Sequence, residues 1–294
     1  MGKWSNTVSA RIFDGFNYLL LVLFALCSIV PFLYIIGGSF ATEAELSTRG
    51  FFLIPTEYSL NAYKYIFTSN TLIRSIMVSI YVTAVGTVVN LFFTVTMAYP
   101  LARRTLHGRN TILNLVVFSM LFSGGLIPTF LIVKSLGLLD TYWALMLPGA
   151  ISAFNLIIVK NFFQELPPGL EESARIDGCT EVGVLWKIVL PLSKPVLATF
   201  GMFYAVGHWN NFFTALLYVN SPEKWPLQVL LRQIVLLSQG SLGDSTQMDH
   251  LFEQPPEQAV KMAAIVVGTV PILLVYPFLQ KHFAKGVLLG SVKG

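Results

Sequence analysis

Apolar residues in this chain run in long blocks, and polar residues gather in the short intervals between them. A bilayer core of about 30 Å takes roughly 20 apolar residues in helical form. Six blocks reach that length: Phe16–Phe40, Ile73–Leu101, Ile112–Lys134, Thr141–Phe163, Val196–Val219 and Ala259–Leu279. Lipid offers no partner to backbone N–H and C=O groups, and the alternation of barrel strands is absent, so each block is expected to be a helix. The expected layout is a short N-terminus (residues 1–15), a six-span domain (16–280) and a C-terminal tail (281–294). Lys3 and Arg11 precede the first block as they would a signal peptide. Its apolar stretch is longer than the usual h-region of about 7–15 residues, and its exit, "GGSFATEAE", places no convincing small-x-small cleavage site at the right distance, so it reads as an uncleaved span.

Composition agrees. Of 294 residues 54% are hydrophobic and only 12% charged, against about 25% charged in soluble domains. Mean hydropathy is +0.68. The fold class is therefore an all-α integral membrane protein. The net charge of +4 does not point to nucleic acid, because the basic residues form no run interleaved with aromatics. They sit at span ends instead. Twelve of the 19 Lys and Arg, among them Lys3, Arg11, Arg103, Arg104, Arg109, Arg175 and Lys187, fall on one side. The positive-inside rule makes that side cytoplasmic and puts both termini there. The sizeable outer loops are Ala41–Leu72 and Asn220–Gln258, the second with a polar stretch "SQGSLGDSTQMDH".

The spans carry little chemistry. Their middles lack Asp, Glu, Lys and Arg, and His208 is the titratable exception. A self-sufficient carrier needs coupling-ion sites within the spans, so the energy source is expected outside this chain. The four histidines are scattered, Glu171 and Glu172 are adjacent, and no G-x-x-x-x-G-K-[ST] loop exists. No catalytic residue, metal site or cofactor is expected, and Cys27 and Cys179 read as packing residues. Thr83, Thr87, Asn90 and Thr94 share one helical face, which reads as small-polar packing. In the fifth span Tyr204, His208, Asn211 and Tyr218 form a stripe with Trp209 and Asn210 beside it. Amides and aromatic faces suit a sugar, and the same residues suit interhelical bonds and an interface belt; both readings stay open. "SGGLIPTF" (123–130) reads as a kink in the third span.

Between two greasy blocks lies a charged segment, "EESARIDGCTEVGVLWKIVLPLSKP" (171–195). A short helix is expected from Leu170 to Asp177, stopped by Gly178. Thr180 caps a second helix with an apolar face of Val182, Leu185, Trp186 and Val189, which Pro191 ends. By its chemistry this is a capped connector or a seat for a partner.

Glu172, Ala174, Gly178, Ile188, Leu190 and Pro191 stand at the spacing of E-A-A-x-x-x-G followed by I-x-L-P. The segment (about 164–195) resembles the EAA loop of ABC importer permeases, with Ser173 in place of the second residue. "WALMLP", "FFQELP" and "WNNF" resemble the sugar-importer branch, that of the maltose-system G subunit and of complex-oligosaccharide permeases. The resemblance implies the type I importer permease fold, with the loop as a coupling helix seated in a cytoplasmic ATP-binding subunit dimer. Carried over, Glu172, Ser173, Ala174, Arg175, Asp177 and Gly178 would dock the ATPase. It also implies a second, homologous permease subunit, an extracytoplasmic solute-binding protein, an oligosaccharide substrate and a cell-membrane location. Tyr204, His208, Trp209, Asn210, Asn211 and Tyr218 would line the substrate pathway. Amino acids, peptides or phosphate are alternative cargo within the family. Lys224 and Arg232 near the outer side could attract an acidic sugar.

Overall fold

The computed structural model describes residues 8–238 and 258–291. The polar stretch of the second outer loop, 239–257, lies outside them. In chain order the helices begin with α1 (Val8–Ser39), α2 (Glu43–Thr48), α3 (Asn61–Thr68) and α4 (Asn70–Ala102). Next come α5 (Arg109–Leu121), α6 (Leu126–Ser135), α7 (Trp143–Met146) and α8 (Ala153–Glu165). The charged segment forms α9 (Pro168–Ile176), α10 (Glu181–Val184), a π-helical turn (Leu185–Val189) and α11 (Leu190–Leu192). α12 (Lys194–Trp209), α13 (Phe213–Tyr218), a 3₁₀ turn (Pro222–Lys224), α14 (Leu227–Ser238) and α15 (Gln258–Ser291) complete the order.

Among the described residues, Arg11–Ser39 in α1, all of α4, and Gln258–Pro277 in α15 are each long and apolar enough to cross a bilayer alone. They carry the first, second and sixth expected spans. The third is not a kinked helix. α5 and α6 meet at 118°, because Gly125 takes φ 86° and ψ 172°, a conformation essentially reserved for glycine. The fourth is also interrupted, with α7 only four residues long before α8 starts at Ala153. The fifth stops at Trp209 and resumes as α13 at Phe213. α10 to α11 and α12 form a further bent pair, at 83°. α15 continues to Ser291, past the expected end of the last span.

The chain divides into two compact units, residues 1–70 with 233–269 and residues 71–232 with 270–294. In the first, α1 leaves its apolar stretch exposed, a surface suited to acyl chains. Glu45 on α2 is buried and accepts from the Thr56 amide (2.9 Å) and hydroxyl (2.8 Å) and the Glu57 amide (3.2 Å), and it pairs with Arg49. These donors, the Thr56 amide foremost, hold its carboxyl at about 2, well below its ordinary 4.5. The Glu43 carboxylate accepts from the first two amides of α15, at 3.2 Å each, where the helix dipole favours an anion.

In the second unit one apolar core joins α4 (Val95, Ala98, Leu101), α8 (Leu156, Val159, Phe163) and α12 (Phe200, Tyr204) to the charged segment through Ala174, Val184, Leu185 and Val189. The connector is thus rooted in the helices beside it.

Candidate functional site

Proline at N1 starts α9 at the position where its missing N–H costs nothing. Its end is a Schellman motif: the Gly178 amide donates to the Arg175 carbonyl (3.0 Å) and the Cys179 amide to that of Ala174 (2.9 Å). Gly178 supplies the left-handed φ of 83°. The Thr180 hydroxyl then caps α10 by accepting from the Gly183 amide at 3.2 Å. Of the expected docking residues, Ala174 alone turns inward, while Glu172, Ser173, Arg175, Asp177 and Gly178 are exposed. Ile176 at the tip is 86% exposed.

The second helix departs from expectation. Val182 and Trp186 are exposed, and Val184, Leu185 and Val189 are the buried positions. Leu185 and Val189 are buried as expected, and the inward face turns toward Val184 rather than toward Val182 and Trp186; a π-helical turn spans Leu185 to Val189. Pro191 does not end the segment, which runs to Leu192.

An ionic cluster ties both arms of this knuckle to the end of α4. Arg103 pairs with Glu171 on α9 and, at 3.1 Å, with Glu181 on α10. Arg175 meets the same two carboxylates, Glu181 at 2.8 Å and Glu171 at 3.5 Å. The Tyr99 hydroxyl donates to Glu181 (3.0 Å) and accepts from Arg103, whose guanidinium lies 4.7 Å over the Tyr99 ring. Arg175, then Tyr99 and Arg103, draw the Glu181 carboxyl below its ordinary range. Spacing did not single out Glu171, Glu181 or Arg103; their signal was only an excess of charge at two neighbouring loops.

The polar face of α4 meets α12. Asn90 donates from Nδ2 to the Gly149 carbonyl (2.9 Å), which turns Oδ1 toward His208 Nε2 at 3.0 Å. That orientation presents an acceptor to Nε2. Thr94 and Tyr204 share a hydroxyl bond of 2.8 Å, and the Tyr204 hydroxyl also accepts from the Ser152 amide at 3.4 Å. Gly149 and Ser152 lie in the break between α7 and α8. Backbone groups freed at a helix break need partners, and Asn90 and Tyr204 supply them here. Gly86 and Gly201 allow the close approach: a Cβ on Gly86 would lie 2.6 Å from His208 Nε2.

The other stripe residues are placed separately. Trp209 is buried, and Asn210 is exposed at the end of α12. Asn211 Oδ1 accepts from the Thr214 amide at 3.2 Å, at the start of α13. Tyr218 is buried and stacks on Phe130 with centroids 6.1 Å apart. Its carbonyl accepts from the Asp140 amide (2.7 Å). The Asp140 carboxylate takes the Asn220 and Ser221 amides and the Lys224 ammonium, the last at 2.8 Å. Lys224 is thereby committed within the chain, whereas Arg232 is exposed.

Residues 87–289 match the family model described as "Binding-protein-dependent transport system inner membrane component". The chain belongs to that family. The matched range contains the knuckle, its ionic cluster and the α4–α12 contact. The permease is 64% identical to Protein LplC of Bacillus subtilis (strain 168) over 289 residues, 98% of this chain and 97% of that one. It is 59% identical over 284 residues to the polygalacturonan/rhamnogalacturonan transport system permease protein YtcP of the same organism, covering 97% and 99%. A chain in the crystal structure of a bacterial ABC transporter involved in the import of the acidic polysaccharide alginate matches with a TM-score of 0.85 and 33% identity, over 96% of this chain and 100% of that one. The permease therefore has the type I importer permease fold and a multi-pass place in the membrane.

Proposed function

We propose that this permease carries oligosaccharides, acidic ones included, into the cell in an ATP-driven importer fed by an extracytoplasmic binding protein. The cargo class rests on relatives named for polygalacturonan, rhamnogalacturonan and alginate. The drive rests on one observation: a capped helix whose polar tip stands exposed while Ala174 and the following turn root it in the span core. In this reading Glu172, Ser173, Arg175, Asp177 and Gly178 seat in a cytoplasmic ATPase subunit, with Ile176 as their apolar centre. A second, homologous permease completes the pathway, and both termini face the cytoplasm. The six-span count requires the α5–α6 and α7–α8 breaks to lie within spans. Asn210 and Asn211, with the exposed ring of Phe212, sit where α12 breaks, and this supports a place for them on the substrate path. Tyr204 and His208 support it indirectly, by holding α12 on α4.

The test is Gly178→Asp. No atom lies within 4 Å of a Cβ built there, but φ 83° strains any L side chain; Gly178→Ala carries that strain without the carboxylate and serves as the control. Copurification of the ATPase and stimulation of hydrolysis by oligogalacturonide-loaded binding protein should both be lost. Survival of both unchanged refutes docking at this helix.

A further inference from the structure

We infer that Arg103 is the positioning residue through which movement of the coupling helix reaches α4. The inference rests on the docking reading above. Arg103 stands just past the last residue of α4, and its guanidinium fork grips Glu171 on α9 and Glu181 on α10 together. One side chain therefore closes both arms of the knuckle onto one span. It is itself held by Tyr99, one turn back on α4, through the hydroxyl and the ring face. Arg175 completes the ring of charge from the knuckle's own side.

The alternative route from α9 to α4 is the apolar core around Ala174. Apolar contact is non-directional and yields to sliding, whereas charged, forked hydrogen bonds fix direction as well as distance. The Arg103 side chain is 22% exposed and Glu171 15% exposed, so water screens their pair only partly. Lysine cannot replace this fork, because a single ammonium does not present two planar pairs of donors to two carboxylates. Arg103 contacts neither the tip of the knuckle nor the membrane-depth stripe, so its role separates from both docking and substrate contact.

The experiment uses the complete importer in proteoliposomes, with oligogalacturonide as the transported probe. Three readouts are taken: copurified ATPase, hydrolysis with and without loaded binding protein, and oligogalacturonide moved per ATP. In Arg103→Gln the ATPase should copurify as in wild type. Transport per ATP should fall about 5–10-fold, the lower end of ordinary coupling between sites. Arg103→Lys should lie between. Glu181→Gln, whose side chain is 60% exposed, gives a second route if Arg103→Gln does not fold, and it should show the same fall on a smaller scale. A merely structural role lowers transport and hydrolysis together and leaves their ratio unmoved. An unchanged ratio in Arg103→Gln and Glu181→Gln overturns the inference. So does loss of ATPase copurification in step with transport, since Arg103 would then be shaping the docking surface. Gly178→Asp, compared with Gly178→Ala in the same copurification assay, reports on docking, so failure of that reading is seen separately.

Discussion

Gly86→Ala tests how closely α12 is seated on α4. The added Cβ would stand 2.6, 2.8 and 2.9 Å from Nε2, Cε1 and Cδ2 of His208, where ordinary contact begins at 3.4 Å. The ring must retreat by about 0.8 Å, and its 3.0 Å bond to Asn90 Oδ1 is stretched beyond use. Overpacking costs about 1–3 kcal/mol, and the lost interhelical bond adds about 0.6 kcal/mol. Alanine returns about 1 kcal/mol in helix propensity. The net expectation is a destabilisation of about 0.6–2.6 kcal/mol. The assay is reversible denaturation of the purified permease in mixed micelles. His208→Ala removes the obstacle, so in that background Gly86→Ala should be neutral or stabilising, an interaction energy of about 2 kcal/mol. Equal effects of Gly86→Ala with and without His208 refute the contact.

Two further outcomes follow from the fold. The depressed carboxyl of Glu45 contributes stability that is complete above 4.5 and is lost as pH falls toward about 2; Glu45→Gln should flatten the acid limb of the melting-temperature profile between those values. Gly125→Ala should destabilise by about 1–3 kcal/mol, because alanine resists φ 86° with ψ 172°, and Gly124→Ala serves as the control in the same denaturation series.

Much of the knuckle was legible in the sequence because its determinants are local. Gly178 as a stop and Thr180 as a cap act within a few residues of themselves, and both do in the structure what their chemistry implies. The buried face of the second arm was half legible: Leu185 and Val189 are buried as expected, but Val182, Val184 and Trp186 are all apolar, so the pattern left open which of them flanks that pair. The six apolar blocks reported fold class well and continuity badly. Hydropathy measures whether side chains tolerate lipid and is blind to a helix break such as Gly149 to Ser152, whose backbone groups are taken up by Asn90 and Tyr204, remote in sequence. Asn90 read as part of a packing face, and Tyr204 fell in a stripe left open between sugar contact and interhelical bonding. The Arg103 cluster was hidden for the same reason: charge near a loop is common, and pairing across the chain is not written in spacing.

The bonds from α4 and α12 to the break before α8 carry a mechanical consequence. A slip of α12 along α4 by a single residue is a displacement of about 1.5 Å, enough to part Tyr204 from Ser152 and His208 from Asn90. An amide left unpaired away from water costs about 1–3 kcal/mol, so these bonds latch the three helices against shear.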